Sequence, residues 1–220
     1  KLQFAAQRGG VQVAADGLPQ AFDIQGDIGL EDGGPVLLPL PGAVETRLKS
    51  ARLRLFFDAA SDNGWSGEVS VLDLERSDFA VASAELAGSG RIGRGGGIRS
   101  IGATFDFRAS GLDFLDAALN EAIGATVAGD AVLHWQDGKD AVSLPRLSVT
   151  GDGYAAKAGL RVEGLSSGLR TEGAIDLTAS DFARFSALLD RPLAGSGTVR
   201  LEGWASRLSG EFDVVLEATT

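Results

Sequence analysis

Few residues in this chain have the types and spacing that chemistry needs. Gly88, Gly90 and Gly93 spell Gly-x-Gly-x-x-Gly. In a dinucleotide site such glycines let the backbone approach a pyrophosphate at the N-terminus of a helix. Here Gly95-Gly96-Gly97 and an alternating run from Arg99 follow, so no helix is expected to open toward a phosphate. Gly164-Leu165-Ser166-Ser167-Gly168 spells a nucleophile elbow, which requires strand, sharp turn and helix, with the triad histidine downstream. A strand pattern follows instead, and the only histidine, His134, lies upstream. One histidine cannot make a zinc site without other ligands placed near it, and no other His or Cys exists, so His134, beside Trp135, reads as a strand residue. The stretch from Asp58 to Asp62-Asn63-Gly64 has the outline of a calcium loop without its ligand alternation or its closing glutamate. Asp113 and Asp116 flank a helix start, where negative charge suits the helix dipole. The expectation is a protein that is not an enzyme and needs no cofactor or metal.

The elements that would position these residues are strands. Period-2 alternation is the dominant signal. It is clearest at Ile101, Ala103, Phe105, Phe107 and Ala109, set against Ser100, Gly102, Thr104, Asp106 and Arg108. It recurs at Phe212, Val214, Leu216 and Ala218, at Val199 and Leu201, and more briefly at Val11/Val13, Leu53/Leu55/Phe57, Val69/Val71, Leu160/Val162 and Ile175/Leu177. One apolar and one polar face per strand is the mark of an antiparallel sheet wetted on one side. Turn signals punctuate the strands at Asp16-Gly17, Asp32-Gly33-Gly34, Asp62-Asn63-Gly64, Asp137-Gly138 and Gly151-Asp152-Gly153. Asp137-Gly138 predicts a tight hairpin. Pro39 and Pro41 predict a loop.

Two stretches change to helical spacing, Asp113 to Ile123 and Asp181 to Leu189, the second with Asp181 as N-cap and Pro192 beyond its end. They predict two short helices docked on the end or edge of a sheet. They also expose a degenerate repeat. Ser77-Asp-Phe79, Leu112-Asp-Phe114 and Ser180-Asp-Phe182 each lead to an Ala-Gly element and a strand, which predicts units near 77–108, 109–178 and 179–218. Such a structure grows by adding similar units.

Composition narrows the partners. The chain has 220 residues, 44 % of them hydrophobic, which is enough to fold. Its net charge of −10 and scattered basic residues argue against nucleic acid and against an anionic membrane surface. Trp65, Trp135 and Trp204 are dispersed, which weakens a third reading, a carbohydrate-acting enzyme on a β scaffold. No apolar run approaches the roughly 18 residues of a membrane span. The chain begins on Lys1 and stops at Thr220 after a strand pattern, and the expectation is one repetitive segment, 1–220, of a longer protein.

Three stretches resemble a known family. Leu177 to Gly203 (LTASDFARFSALLDRPLAGSGTVRLEG) followed by Leu208-Ser-Gly-Glu-Phe-Asp213 is one. Leu37-Leu-Pro-Leu-Pro-Gly42 and Thr150 to Gly164 (TGDGYAAKAGLRVEG) are the others. Taken in chain order they resemble repeats of the TamB/AsmA-like family of translocation and assembly module subunits, over most of the chain from about Val36. The resemblance implies a middle fragment of a periplasmic protein of a Gram-negative bacterium. Its parent would be anchored in the inner membrane and meet an outer-membrane barrel partner. The implied fold is an all-β, elongated, curled antiparallel sheet (a β-taco, open and solenoid-like) with two short helices. The implied role is carrying phospholipid between the membranes and aiding outer-membrane protein assembly.

The predicted lipid groove is lined by Leu55, Phe57, Val69, Val71, Ile101, Phe105, Phe107, Val162, Ile175, Leu177, Val199, Leu201, Phe212, Val214 and Leu216. A structural or adhesive β-solenoid with a dry, sealed core is the alternative. Alternation alone leaves open whether the apolar face is groove or core.

Overall fold

In the computed structural model the described residues are 2–13, 19–30, 33–38, 45–95, 97–165, 168–206 and 209–219. The predicted turns at Asp16-Gly17 and Asp32, the loop at 39–42, Gly96, Ser166 and Leu208 lie outside them. The chain is 72 % strand and 8 % helix, and its strands form a single open antiparallel sheet that does not close into a barrel.

The strands are β1 (Leu2–Val13), β2 (Pro19–Leu30), β3 (Val36–Leu38), β4 (Thr46–Leu48), β5 (Ser50–Asp58), β6 (Gly64–Arg76), β7 (Phe79–Arg94), β8 (Ile98–Ser110), β9 (Asp113–Phe114), β10 (Thr126–Gln136), β11 (Ala141–Gly151), β12 (Tyr154–Glu163), β13 (Arg170–Ala179), β14 (Ser196–Ser206) and β15 (Gly210–Thr219). The main path runs β1-β2-β5-β6-β7-β8-β10-β11-β12-β13-β14-β15, in chain order with β3, β4 and β9 off it. Twelve strands at the usual spacing of about 4.8 Å span about 50 Å. The result is a long, curled meander in which each strand of the main path pairs with the next strand of that path.

The departures from this path are bent continuations of its strands. β4 pairs with β6 (Thr46↔Arg76) and leads into β5 on the same neighbour. Between them Lys49 N–H donates to the Leu72 carbonyl at 3.0 Å, beside Asp73 with its left-handed φ of 48°. β9 likewise extends β8 along β7, pairing Phe79↔Phe114 after a bend at Gly111. Gly111 has φ +64°, and a Cβ there would lie 2.6 Å from the Ala82 Cβ, so only glycine fits. Pro145 cannot donate to a ladder. It sits in a bulge where the β11–β12 register steps from Leu144↔Leu160 to Leu147↔Ala158, and β10 steps opposite it between Val132 and His134.

Both predicted helices are present, and both differ in detail. The first, α1, is only Ala117–Ile123, because Asp113 and Phe114 are drawn into the sheet as β9. Its N-cap is Asp116, whose carboxylate accepts from Ala118 and Leu119 N–H. The second begins as a 3₁₀ turn, Phe182–Phe185, capped by Asp181, and continues as α2 (Ser186–Leu189). The shorter Ser77-Asp78-Phe79 version of the repeat carries no helix, since Phe79 opens β7 directly.

The literal motifs are absorbed by strands. Gly88, Gly90 and Gly93 lie inside β7, and β8 follows. His134 is exposed in β10 opposite Gly102 and Ser143. Asp58 closes the β5–β6 turn, accepting from Ala60 N–H and the Ser61 hydroxyl at 2.8 Å each. Those two donors hold its carboxyl below the usual range. Asp137-Gly138 makes the predicted hairpin, with Lys139 N–H donating to the Gln136 carbonyl.

Candidate functional site

In a strand every second side chain shares a face, and residues directly opposite on a neighbour share it too. The pairing therefore fixes which apolar residues form one surface. One row runs Ile24, Leu55, Gly67, Gly88, Phe105, Ala131, Leu147, Ala158, Ile175, Leu201, Val214 from β2 to β15. The next runs Gly26, Leu53, Val69, Leu86, Phe107, Gly129, Val149, Ala156, Leu177, Val199, Leu216. Phe57 with Trp65, Val71 with Ala84, Ile101 with Trp135, Val162 with Val142, and Phe212 with Gly203 lie on the same side. All fifteen residues of the predicted lining therefore share one face of one sheet.

The structure adds residues that periodicity did not single out. Leu86 and Ile92 belong to the face, but the glycines of β7 between them hide the alternation. Leu144 and Leu147 both belong to it, three residues apart, because the Pro145 bulge takes up the odd residue.

The rings of this face lie flat over glycines. A Cβ on Gly88 would come within 2.7 Å of Phe105 Cδ1 and 3.3 Å of the Trp65 ring. A Cβ on Gly129 would meet Phe107 at 2.6 Å. Trp65 and Phe105 have ring centroids 5.9 Å apart, and Phe22 stacks on Phe57 at 5.4 Å. Large rings thus cover bare backbone of their own sheet. The Trp65 Nε1–H is buried in this paving with no acceptor among the described residues.

Coverage of the face is uneven. Phe57 and Ala103 are buried, at 3 % and 4 % exposure, whereas Leu86 is 43 % exposed and Val214 and Leu216 on β15 are 59 % exposed. Among the described residues no large side chain is fully buried. The accessible surface is 13685 Å², against about 9,500 Å² for a compact monomer of 22.7 kDa. That excess is what a sheet without a second layer should have.

One rim of the face is covered. Phe182 packs there, buried with Ala122 and Ala179. Arg184 ties the two helical segments together, its Nε donating to Ala122 O at 3.1 Å and Nη2 to Glu121 O at 3.3 Å. Its guanidinium lies 4.9 Å from the centroid of the Tyr154 ring, and Phe185 meets that ring edge-on at 6.1 Å. Burial raises the Tyr154 phenol above its ordinary value, with Arg184 opposing. In the turn below, the Thr126 hydroxyl donates to Asp152 at 2.6 Å and is the main reason the Asp152 carboxyl lies below its usual range.

The opposite face is polar and laced with cross-strand ion pairs: Arg52–Asp27 at 2.8 Å, Arg54–Glu68 at 4.0 Å, Arg108–Glu85 at 3.3 Å, Arg146–Asp130 at 2.9 Å and Arg200–Asp176 at 3.8 Å. Hollows open here between the long side chains, one of about 650 Å³ walled by Arg52, Arg54, Glu68, Glu85 and Arg108. Arg54 pairs with Glu68 and Arg108 with Glu85 across it, Arg52 pairs with Asp27 beside it, and Asp106 also lines it. Among the described residues no three His, Cys, Asp or Glu side chains are grouped to hold a metal ion, and no helix is long and apolar enough to cross a membrane.

No known family, curated protein or solved structure matches this chain.

Proposed function

We propose that the apolar face binds phospholipid acyl chains and lets them pass along the sheet, as a periplasmic segment of a bridge between inner and outer membranes. The observation that carries this reading is the alignment of apolar rows across eleven consecutive strands of an open sheet, over which the described residues lay only a short helical pair at one rim. A sealed solenoid would need a second layer. An acyl chain laid on the face loses contact with water at about 0.8 kcal/mol per CH₂. The headgroup needs no dedicated site, because it can stay in solvent beyond the rim. Lengthwise movement needs no deep pocket, since successive strands present the same surface every 4.8 Å or so. The resemblance to TamB/AsmA-like repeats supports the same reading and supplies the proposed setting, an inner-membrane anchor and an outer-membrane barrel partner outside this segment.

The test is native mass spectrometry of the protein purified gently from Gram-negative cells. Phospholipid that stays with the wild type and is lost from Leu86→Asp supports the proposal. Leu86 is exposed enough for the variant to fold. A lipid-free wild type that also ignores fluorescent acyl chains sinks it.

A further inference from the structure

Basic residues that are scattered along the sequence are gathered at one place by the ladder. On the polar face one row crosses β7, β8, β10, β11 and β12 as Arg91, Gly102, His134, Ser143 and Arg161. Lys139 reaches the same place from the β10–β11 hairpin, where its N–H closes the turn on the Gln136 carbonyl. These residues wall a hollow of about 560 Å³, and among its lining residues only Asp62 carries a carboxylate. Three fixed cations therefore face one anion, in a chain whose net charge is −10. The larger hollow of the same face has no such excess, because Arg52, Arg54 and Arg108 are matched there by Glu68, Glu85 and Asp106. The hollow beside that one is acidic, with Asp23, Glu68 and Asp106 against Arg54. A cleft lined by one sign of charge concentrates ions of the other.

The donors suit an anion rich in oxygen. Arginine offers a planar fork, lysine a compact point charge, and an imidazole always has at least one N–H to give. Ser100 and Ser143 add hydroxyls to the lining. Gly102 leaves the floor bare between Arg91 and His134, and a Cβ there would lie 3.5 Å from His134 Nδ1. Two of the cations already have partners, Arg91 with Asp62 at 3.2 Å and Arg161 with Glu163 at 2.6 Å. Both pairs are exposed, and such pairs hold weakly. Each fork has five donors, so a second anion can be taken without releasing the first.

We infer that this hollow binds one phosphate group, held over Ser143 between His134 and Arg161, with Lys139 and Arg91 supplying further positive charge. His134 and Arg161 stand two strand spacings apart, about 10 Å, a span that two long side chains and a phosphate fill. The inference is independent of the lipid reading, because the hollow lies on the face opposite the apolar rows. The phosphate can belong to a small soluble molecule or to a lipid headgroup brought round the strand ends.

The experiment follows backbone amides of the isotope-labelled whole chain by NMR during titration with inorganic phosphate, at constant ionic strength against chloride. Phosphate should shift Gly102, His134 and Ser143 where chloride does not. Lys139→Glu and Arg161→Glu, both at exposed positions, should each weaken binding at least about ten-fold, as the loss of charge-assisted hydrogen bonds requires. Arg54→Glu changes the net charge equally on the same face and should leave the affinity within about two-fold, since salt screens exposed charges at that distance. A short-chain phosphatidylglycerol then separates the sources. If it shifts the same amides and loses them in the same variants, the phosphate is a headgroup's. If it leaves them unmoved while inorganic phosphate shifts them, the ligand is a soluble phosphate. No shift with inorganic phosphate, shifts that map elsewhere, or an equal loss in Arg54→Glu overturns the inference.

Discussion

Phe105 lies across Gly88. The two residues are directly opposite on β8 and β7, and a Cβ on the glycine would sit 2.7 Å from Phe105 Cδ1. The ring is held down on the sheet by the absence of a side chain beneath it. Gly88→Val should therefore lift Phe105 off the backbone and disturb its contact with Trp65. The expected loss is about 1–3 kcal/mol, typical of overpacking, read by urea unfolding. A gain in stability, as valine's β propensity alone would give, would mean the ring is free to move aside.

Phe105→Asp puts a charge in the middle of the apolar face. Because the face is open, the expected variant is a folded, still elongated protein that no longer retains phospholipid. Small-angle scattering reads the first property and native mass spectrometry the second. Unfolding of this variant and of Phe107→Asp alike would point to a sealed core.

Arg184→Ala removes the donor that satisfies the Glu121 and Ala122 carbonyls at the end of α1, and the cation over Tyr154. Helix-end carbonyls left without partners and a lost cation–π contact together predict a loss of about 1–2 kcal/mol. Exchange of α1 amides should accelerate while that of β5 to β8 stays unchanged. Equal acceleration everywhere would make the rim part of one cooperative unit.

Asp152 has a native pKa below its ordinary value of 3.8, chiefly through the Thr126 hydroxyl. The folded state therefore holds this proton less tightly than the unfolded state. Its contribution to stability is present above the unfolded value and disappears as pH falls through the lowered native one. Stability of wild type relative to Asp152→Asn should shrink with acid over that window and be constant at neutral pH. A difference independent of pH would exclude the hydrogen-bonded carboxylate as its source.

Tyr154 gives the opposite arm. Burial raises its native pKa above 10.0, so its contribution is full below the unfolded value and is lost as pH rises through the native one. Tyr154→Phe should flatten alkaline unfolding without changing acid unfolding.

Much of this was legible in the chain. The alternation through Ile101, Phe105 and Phe107 predicts β8, and Asp181 predicts the cap of the second helix, because side-chain period and capping are local properties. The first helix is shorter than its spacing implies, since Asp113 and Phe114 find a ladder on Phe79 and Ala80. Leu86 and Ile92 were hidden because a glycine-rich strand has too few side chains to display a period. Leu147 was out of phase until the bulge at Pro145 restored it.

The sequence by itself determined which side of each strand is apolar, because successive residues of a strand must point to opposite faces. It also determined that the chain would be β-rich and acidic. Only the tertiary structure decided that those sides align into continuous rows, since a one-residue slip in any ladder would turn a whole strand over. It alone decided that the rows stay open, because covering a face requires a second layer, and the described residues form one sheet and lay only a short helical pair across one rim.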